Sequence, residues 1–123
     1  MKKSCLVLIA HGSKNPKWTA PFEKLVNDLS REVGEGKVFL SFMELAAPSL
    51  QDVTQKIVAS GVTHFRLLPL FLANGNHLDH DLPAQVEAVK RHFSGLEVEM
   101  LPPIGQHPMF ASLMRQLARE CLT

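Results

Sequence analysis

Cysteine is scarce in this 123-residue sequence: Cys5 sits in the first apolar run and Cys121 near the C-terminus, with no CxxC and no paired spacing. That excludes a disulfide framework, and both thiols are read as buried or incidental. Long apolar runs are missing too. None approaches the roughly 18 to 20 residues of a membrane span, and two lysines ahead of a six-residue apolar run do not make a signal peptide. The expectation is a soluble, cytoplasmic protein. Nor does charge of one sign prevail. Thirteen basic and 12 acidic residues are scattered to a net charge of +1, which leaves no electrostatic footprint for nucleic acid or an anionic membrane. Finally, there is no glycine-rich loop. Gly12-Ser13 stands without a GxGxxG or GxxxxGK[ST] pattern, which argues against a nucleotide binder, and His11-Gly12-Ser13 lacks the flanking glycines of a nucleophile elbow.

What is present is a regular alternation. Hydrophobic residues make up 46% of the chain, enough for one core, so a single domain over residues 1–123 is expected. Cys5 to Ala10 is a short unbroken apolar run, as in a strand buried on both faces. Phe22, Leu25, Val26, Leu29 and Val33 then recur at helical spacing until Gly34. Val38 to Leu45 reads as a second strand, and a second helix carries Pro48 in its first turn with Leu50, Val53, Ile57 and Val58 on its apolar face. A third strand spans about Phe65 to Leu72 with Pro69 inside it, where the missing N–H suggests a bulge or an unpaired position near the strand end. A third helix is expected to start at Asp81 as N-cap, with Pro83 in its first turn and Val86, Val89 and Phe93 buried. Leu96 to Leu101 alternates as an edge strand. A last helix presents Phe110, Leu113, Met114, Leu117 and Cys121 on its apolar face.

Four strands alternating with four helices predict an α/β fold of three layers, with a parallel sheet of order 2-1-3-4 covered on both faces. Ligands of such sheets bind beyond the carboxyl ends of the strands, beside the switch point between strands 1 and 3. His11 follows strand 1, Glu44 closes strand 2, and His77 lies five residues past strand 3. In that order the three strand ends are neighbours, about 4.8 Å apart per strand. Two imidazoles and a carboxylate suit zinc, cobalt, nickel or iron with positions left open. Without a metal, the same groups are proton acceptors near neutral pH. Asp81 is assigned to the helix cap, His80 to an exposed neighbour, and His107 to an exposed position before Pro108. Trp18, Phe22 and Met43 are candidates to flank a flat ligand, though packing is their default role.

Three stretches carry a resemblance: LVLIAHGSKNP at the first strand end, SFMELAAPSL at the second, and LLPLFLANGNHLDHDLP at the third. Together they resemble the small sirohydrochlorin chelatases of the CbiX type, over essentially the whole chain. The resemblance implies a chelatase-like half domain that inserts a divalent metal, cobalt, iron or nickel, into sirohydrochlorin on the way to cobalamin or siroheme. The metal is then a substrate and no cofactor is tightly bound. By the same resemblance His11 and His77 match the metal-handling histidines and Glu44 the motif glutamate, which would hold the metal, accept a proton or orient a histidine. Ser13, Lys14, Asn15 and Lys17 are candidates for the substrate's carboxylates, although Lys14 stands where the family commonly has arginine. A homodimer with its active site between protomers is implied. The alternative of another class is a carrier that binds metal or tetrapyrrole without turnover.

Overall fold

The computed structural model describes residues 4–73 and 75–122, without the side chains of residues 76–79. Among the described residues four strands and four helices alternate: β1 (Ser4–Ala10), α1 (Pro16–Val33), β2 (Val38–Phe42), α2 (Leu50–Ala59), β3 (His64–Pro69), α3 (Asn76–His92), β4 (Glu97–Met100) and α4 (Pro108–Cys121). A 3-10 turn, Ile104–Gln106, precedes α4. The sheet is wholly parallel in the order β2-β1-β3-β4, as the alternation of elements predicts.

The apolar run of β1 is continuous because the strand is central. Odd positions face one helical layer and even positions the other. Val7 and Ile9 join Phe65 and Leu67 of β3 against Leu50, Val53 and Ile57 of α2 and Leu82, Val86 and Val89 of α3. Leu8 and Ala10 join Leu40 and Phe42 of β2, against Phe22, Val26 and Leu29 of α1. Each such side chain larger than alanine contributes about 1.5–3 kcal/mol when removed from water. The buried hydroxyls are satisfied internally: Ser41 donates to the Leu8 carbonyl at 3.2 Å and Thr54 to that of Leu50 at 2.7 Å. Among the described residues no helix is long and apolar enough to cross a membrane.

The elements depart from the sequence-based expectation at five places, four of them next to the functional edge. β2 ends at Phe42 rather than Leu45. After Phe42 pairs with Ala10, the chain folds back, so that the Phe42 N–H donates to the Pro48 carbonyl at 2.8 Å and the Met43 N–H to Ala10 at 2.9 Å. In this loop Leu45 takes a φ of 65°, a conformation that costs a bulky residue on the order of 1 kcal/mol. Pro48 lies ahead of α2, and Ser49 caps it: the Ser49 hydroxyl accepts from the Asp52 N–H and the Asp52 carboxylate from the Ser49 N–H, a closed capping box.

β3 stops at Pro69, the residue that has no N–H to continue the ladder. Helix α3 starts five residues earlier than Asp81, with Gly75 at its N-cap, and Pro83 lies inside it. Leu82 is 3% exposed and shares one buried stripe with Val86 and Val89, and the helix continues N-terminally from that stripe to Asn76. The lost hydrogen bond at Pro83 is outweighed by that burial. The fifth departure is α4: its apolar residues are exposed, with Leu113 at 49% and Leu117 at 43%.

Candidate functional site

His11 and Glu44 leave the carboxyl ends of the adjacent strands β1 and β2 and meet. The His11 Nδ1 lies 2.9 Å from the Glu44 Oε1. Close approach of the two backbones makes this possible. A Cβ at Gly12 would collide with the Glu44 carbonyl oxygen and crowd the Ala46 nitrogen, so only glycine lets the two loops touch. With Nδ1–H donating to the carboxylate, the imidazole is held in one orientation and its Nε2 keeps a lone pair for a metal or a proton.

The loop around His11 is tied down independently. The Trp18 indole N–H donates to the His11 carbonyl at 2.7 Å, and the Phe71 ring lies 4.6 Å, centroid to centroid, from the imidazole. Asn15 caps α1 by accepting from the Lys17 N–H at 2.9 Å, while the Ser13 hydroxyl accepts from the Asn15 N–H at 3.0 Å. Those two side chains therefore shape the turn. Lys14 and Lys17 are exposed beside it.

Two clefts open on either side of His11. One, of about 360 Å³, is lined by Met43, Glu44, Asp81, Ala84 and Gln85 as well as His11. The other, of about 420 Å³, is lined by Trp18, Phe22, Leu70, Phe71 and Leu72. His11 thus forms the ridge between a cleft bearing two carboxylates and an apolar one. Gln85 Nε2 donates to the Met43 carbonyl at 3.2 Å and pins the β2 loop to α3.

Of the residues expected at the site, the structure brings His11 and Glu44 into contact. His77 belongs to the first turn of α3, and its side chain lies outside the described residues. Among the described residues no group of three His, Cys, Asp or Glu is arranged to hold a metal. Asp81 is no helix cap: it stands on α3 and lines the cleft of His11 and Glu44. The signal was in the spacing, because residues 77 and 81 share a helix face once the helix begins at Asn76. Phe71 and Leu45 were also missed, the first as part of an apolar run and the second as part of a strand. His107 caps α4, its Nδ1 accepting from the Met109 N–H at 3.1 Å.

The sequence profile of the CbiX family matches residues 5–121. A sirohydrochlorin cobaltochelatase of Sulfurisphaera tokodaii is 28% identical over 117 residues, covering 95% of this chain and 92% of that protein. A chloroplastic sirohydrochlorin ferrochelatase of Arabidopsis thaliana is 26% identical over 118 residues, which span 96% of this chain but 52% of the plant protein. The crystal structure of a CbiX protein from Marinobacter aquaeolei VT8 superposes with a TM-score of 0.86 at 33% identity, covering 98% of both chains. With three quoted motifs, the sheet order and the family profile in agreement, the chain belongs to the CbiX family.

Proposed function

We propose that the protein inserts a divalent metal, cobalt or iron, into sirohydrochlorin, the reaction named for its relatives in Sulfurisphaera tokodaii and Arabidopsis thaliana. The observation that carries this reading is the His11–Glu44 pair on a ridge between a carboxylate-bearing cleft and an apolar one. Metallation of a tetrapyrrole needs two things at one place: a face on which a flat apolar ring can lie, and bases that take the pyrrole protons as the metal arrives. Trp18, Phe22, Phe71 and Leu72 supply the first. His11, oriented by Glu44, supplies the second, and His77 is assigned beside it as the other metal-handling histidine.

In this reading the metal is a substrate held loosely. Imidazole nitrogen and carboxylate oxygen bind several divalent ions, in an affinity order set largely by the metal, so release to the macrocycle is not blocked by an overly specific cage. As pyrrole nitrogens replace protein ligands, the freed His11 Nε2 can accept a proton, and the Glu44 carboxylate stabilises the imidazolium that forms. Lys14 and Lys17 are assigned to the peripheral carboxylates as exposed point charges. The working unit is read as two copies, because the chain spans about half of the plant relative.

The test is the absorbance change of metallation when purified protein is mixed with sirohydrochlorin and Co²⁺ or Fe²⁺. Acceleration over the protein-free rate at substoichiometric protein is expected. Tight binding of tetrapyrrole or metal without acceleration would instead identify a carrier.

A further inference from the structure

The carbonyls at the end of β1 are taken up one after another by different elements. The Ile9 carbonyl accepts from the Leu70 N–H at 2.8 Å, just past β3, and the Ala10 carbonyl from the Met43 N–H at 2.9 Å, just past β2. At His11 both neighbouring ladders have run out. The next donor comes from a side chain: the indole N–H of Trp18, in the first turn of α1, reaches back to the His11 carbonyl at 2.7 Å. His11 is exposed, so water could have served that carbonyl. The indole instead extends the fixed part of β1 by one residue, to the one that carries the imidazole.

Core packing does not account for this tryptophan. Trp18 is 48% exposed and belongs to neither core cluster, although an aromatic ring of its size has much to gain from burial. Its inner side meets Phe22, with ring centroids 5.7 Å apart. The rest of it lines the apolar cleft of about 420 Å³ that His11, Phe71 and Leu72 also line. The ring projects from a rigid turn, since the Trp18 N–H donates to the Asn15 carbonyl at 2.9 Å and the Asn15 side chain accepts from the Lys17 N–H at 2.9 Å. One side chain therefore holds the backbone of His11 and forms a wall of the cleft beside it.

We infer that Trp18 is a positioning residue that ties the seat of the tetrapyrrole ring to the aim of His11. Three contacts fix this histidine: Trp18 on its carbonyl, Glu44 on its Nδ1 at 2.9 Å, and the Phe71 ring 4.6 Å from its imidazole. Glu44 sets the rotation of the imidazole, and Trp18 sets the peptide unit from which the imidazole projects. A base must approach a pyrrole nitrogen along one line, and a misplacement of about 1 Å can cost on the order of 10²-fold in rate. A flat ring lying on Trp18 meets the His11 Nε2 at a set distance, because the surface it rests on and the group that acts on it are joined by one hydrogen bond. This rests on the function proposed above and adds a residue that the reaction needs although it touches neither metal nor proton.

Trp18 is the only tryptophan of the sequence, so biosynthetic replacement of tryptophan in the full chain is specific to this position. Benzothienylalanine has the shape of tryptophan with sulfur in place of the N–H. With sirohydrochlorin and Co²⁺ this form is expected to lose about tenfold in kcat while KM for sirohydrochlorin stays within about twofold. Fluorotryptophan, the conservative counterpart that keeps the donor, is expected to recover the wild-type kcat. Trp18→Leu removes the ring as well and is expected to raise that KM at least fivefold. A carbon–proton correlation spectrum gives a readout without turnover: the His11 imidazole signal, identified by its loss in His11→Ala, should shift or broaden in the benzothienyl form and stay in place in the fluorinated one. An unchanged kcat in the benzothienyl form overturns the proposal, as does an equal loss in the fluorinated form or an unchanged KM in Trp18→Leu. Absence of turnover in the wild type is instead the failure of the proposed reaction. The His11 signal and the affinity for metal-free sirohydrochlorin then decide: an unmoved signal or an unweakened affinity in Trp18→Leu overturns the tie.

Discussion

The His11 Nδ1 and the Glu44 Oε1 approach to 2.9 Å although they are 33 residues apart in the chain. Adjacent parallel strands bring them together, since Ala10 and Phe42 are register partners at the end of β1 and β2. If this pair performs the proposed chemistry, its two members should fail differently. His11→Ala removes the group that touches metal or proton, and metallation is expected to fall by about 10²–10⁴-fold. Glu44→Gln keeps the shape and loses the charge, with an expected loss of about 10–100-fold. Steady-state rates with sirohydrochlorin and Co²⁺ decide this. Equal, small losses would mean that the pair is structural.

Gly12→Ala is expected to be costlier than its size implies. The added methyl would have to displace the Glu44 backbone, and overpacking of this kind costs about 1–3 kcal/mol. Urea denaturation should show the lower midpoint. The metallation rate of the folded fraction should fall as well, because the loop that carries Glu44 is the part that must move.

Asp81 separates two assignments. As a helix cap it would contribute about 1 kcal/mol, lost in Asp81→Ala. As an exposed residue on the wall of the cleft, its replacement should leave stability within about 0.5 kcal/mol while slowing metallation. Thermal melts and rates measured on one preparation distinguish these results.

The two thiols should differ in reactivity. Cys5 is 7% exposed, and burial pushes its thiol up to about 11 from 9.0, so the thiolate that reacts is suppressed. One thiol per chain, Cys121, should react with Ellman's reagent at pH 8, and both should react in guanidinium. Between pH 9 and about 11 the unfolded chain has released the Cys5 proton and the folded chain still holds it. Stability therefore falls as pH rises through that window, and Cys5→Ala should flatten the fall.

Much of the fold was legible because its signals are local. The unbroken run of β1, the helical spacing of Phe22 to Val33 and the alternation of β and α fix a parallel sheet and its order. His11 and Glu44 were legible as strand ends. What the sequence hid was the course of the chain just past those ends. Leu45 looked like one more apolar strand residue, yet it bends the loop at positive φ. Pro83 looked like a helix start, yet it is inside α3, which runs back to Asn76. Leu45 is 62% exposed, so its φ follows from the course of the loop and not from burial. The apolar stripe of α4 was legible as well, but a periodic pattern does not say whether it packs on its own chain or on another.

Gly105 gives α4 a bearing on the chemistry. The 3-10 turn that launches α4 presses so closely on the loop after β3 that a Cβ on Gly105 would collide with the Leu72 backbone, and the Gly105 N–H donates to the Phe71 carbonyl at 3.0 Å. Phe71 in turn lies against His11. The turn that launches α4 and the wall of the cleft beside His11 are therefore held by the same few residues, so a ligand that fills the cleft should also slow amide exchange at Gly105. Unchanged exchange there would show that the two ends of this short segment do not communicate.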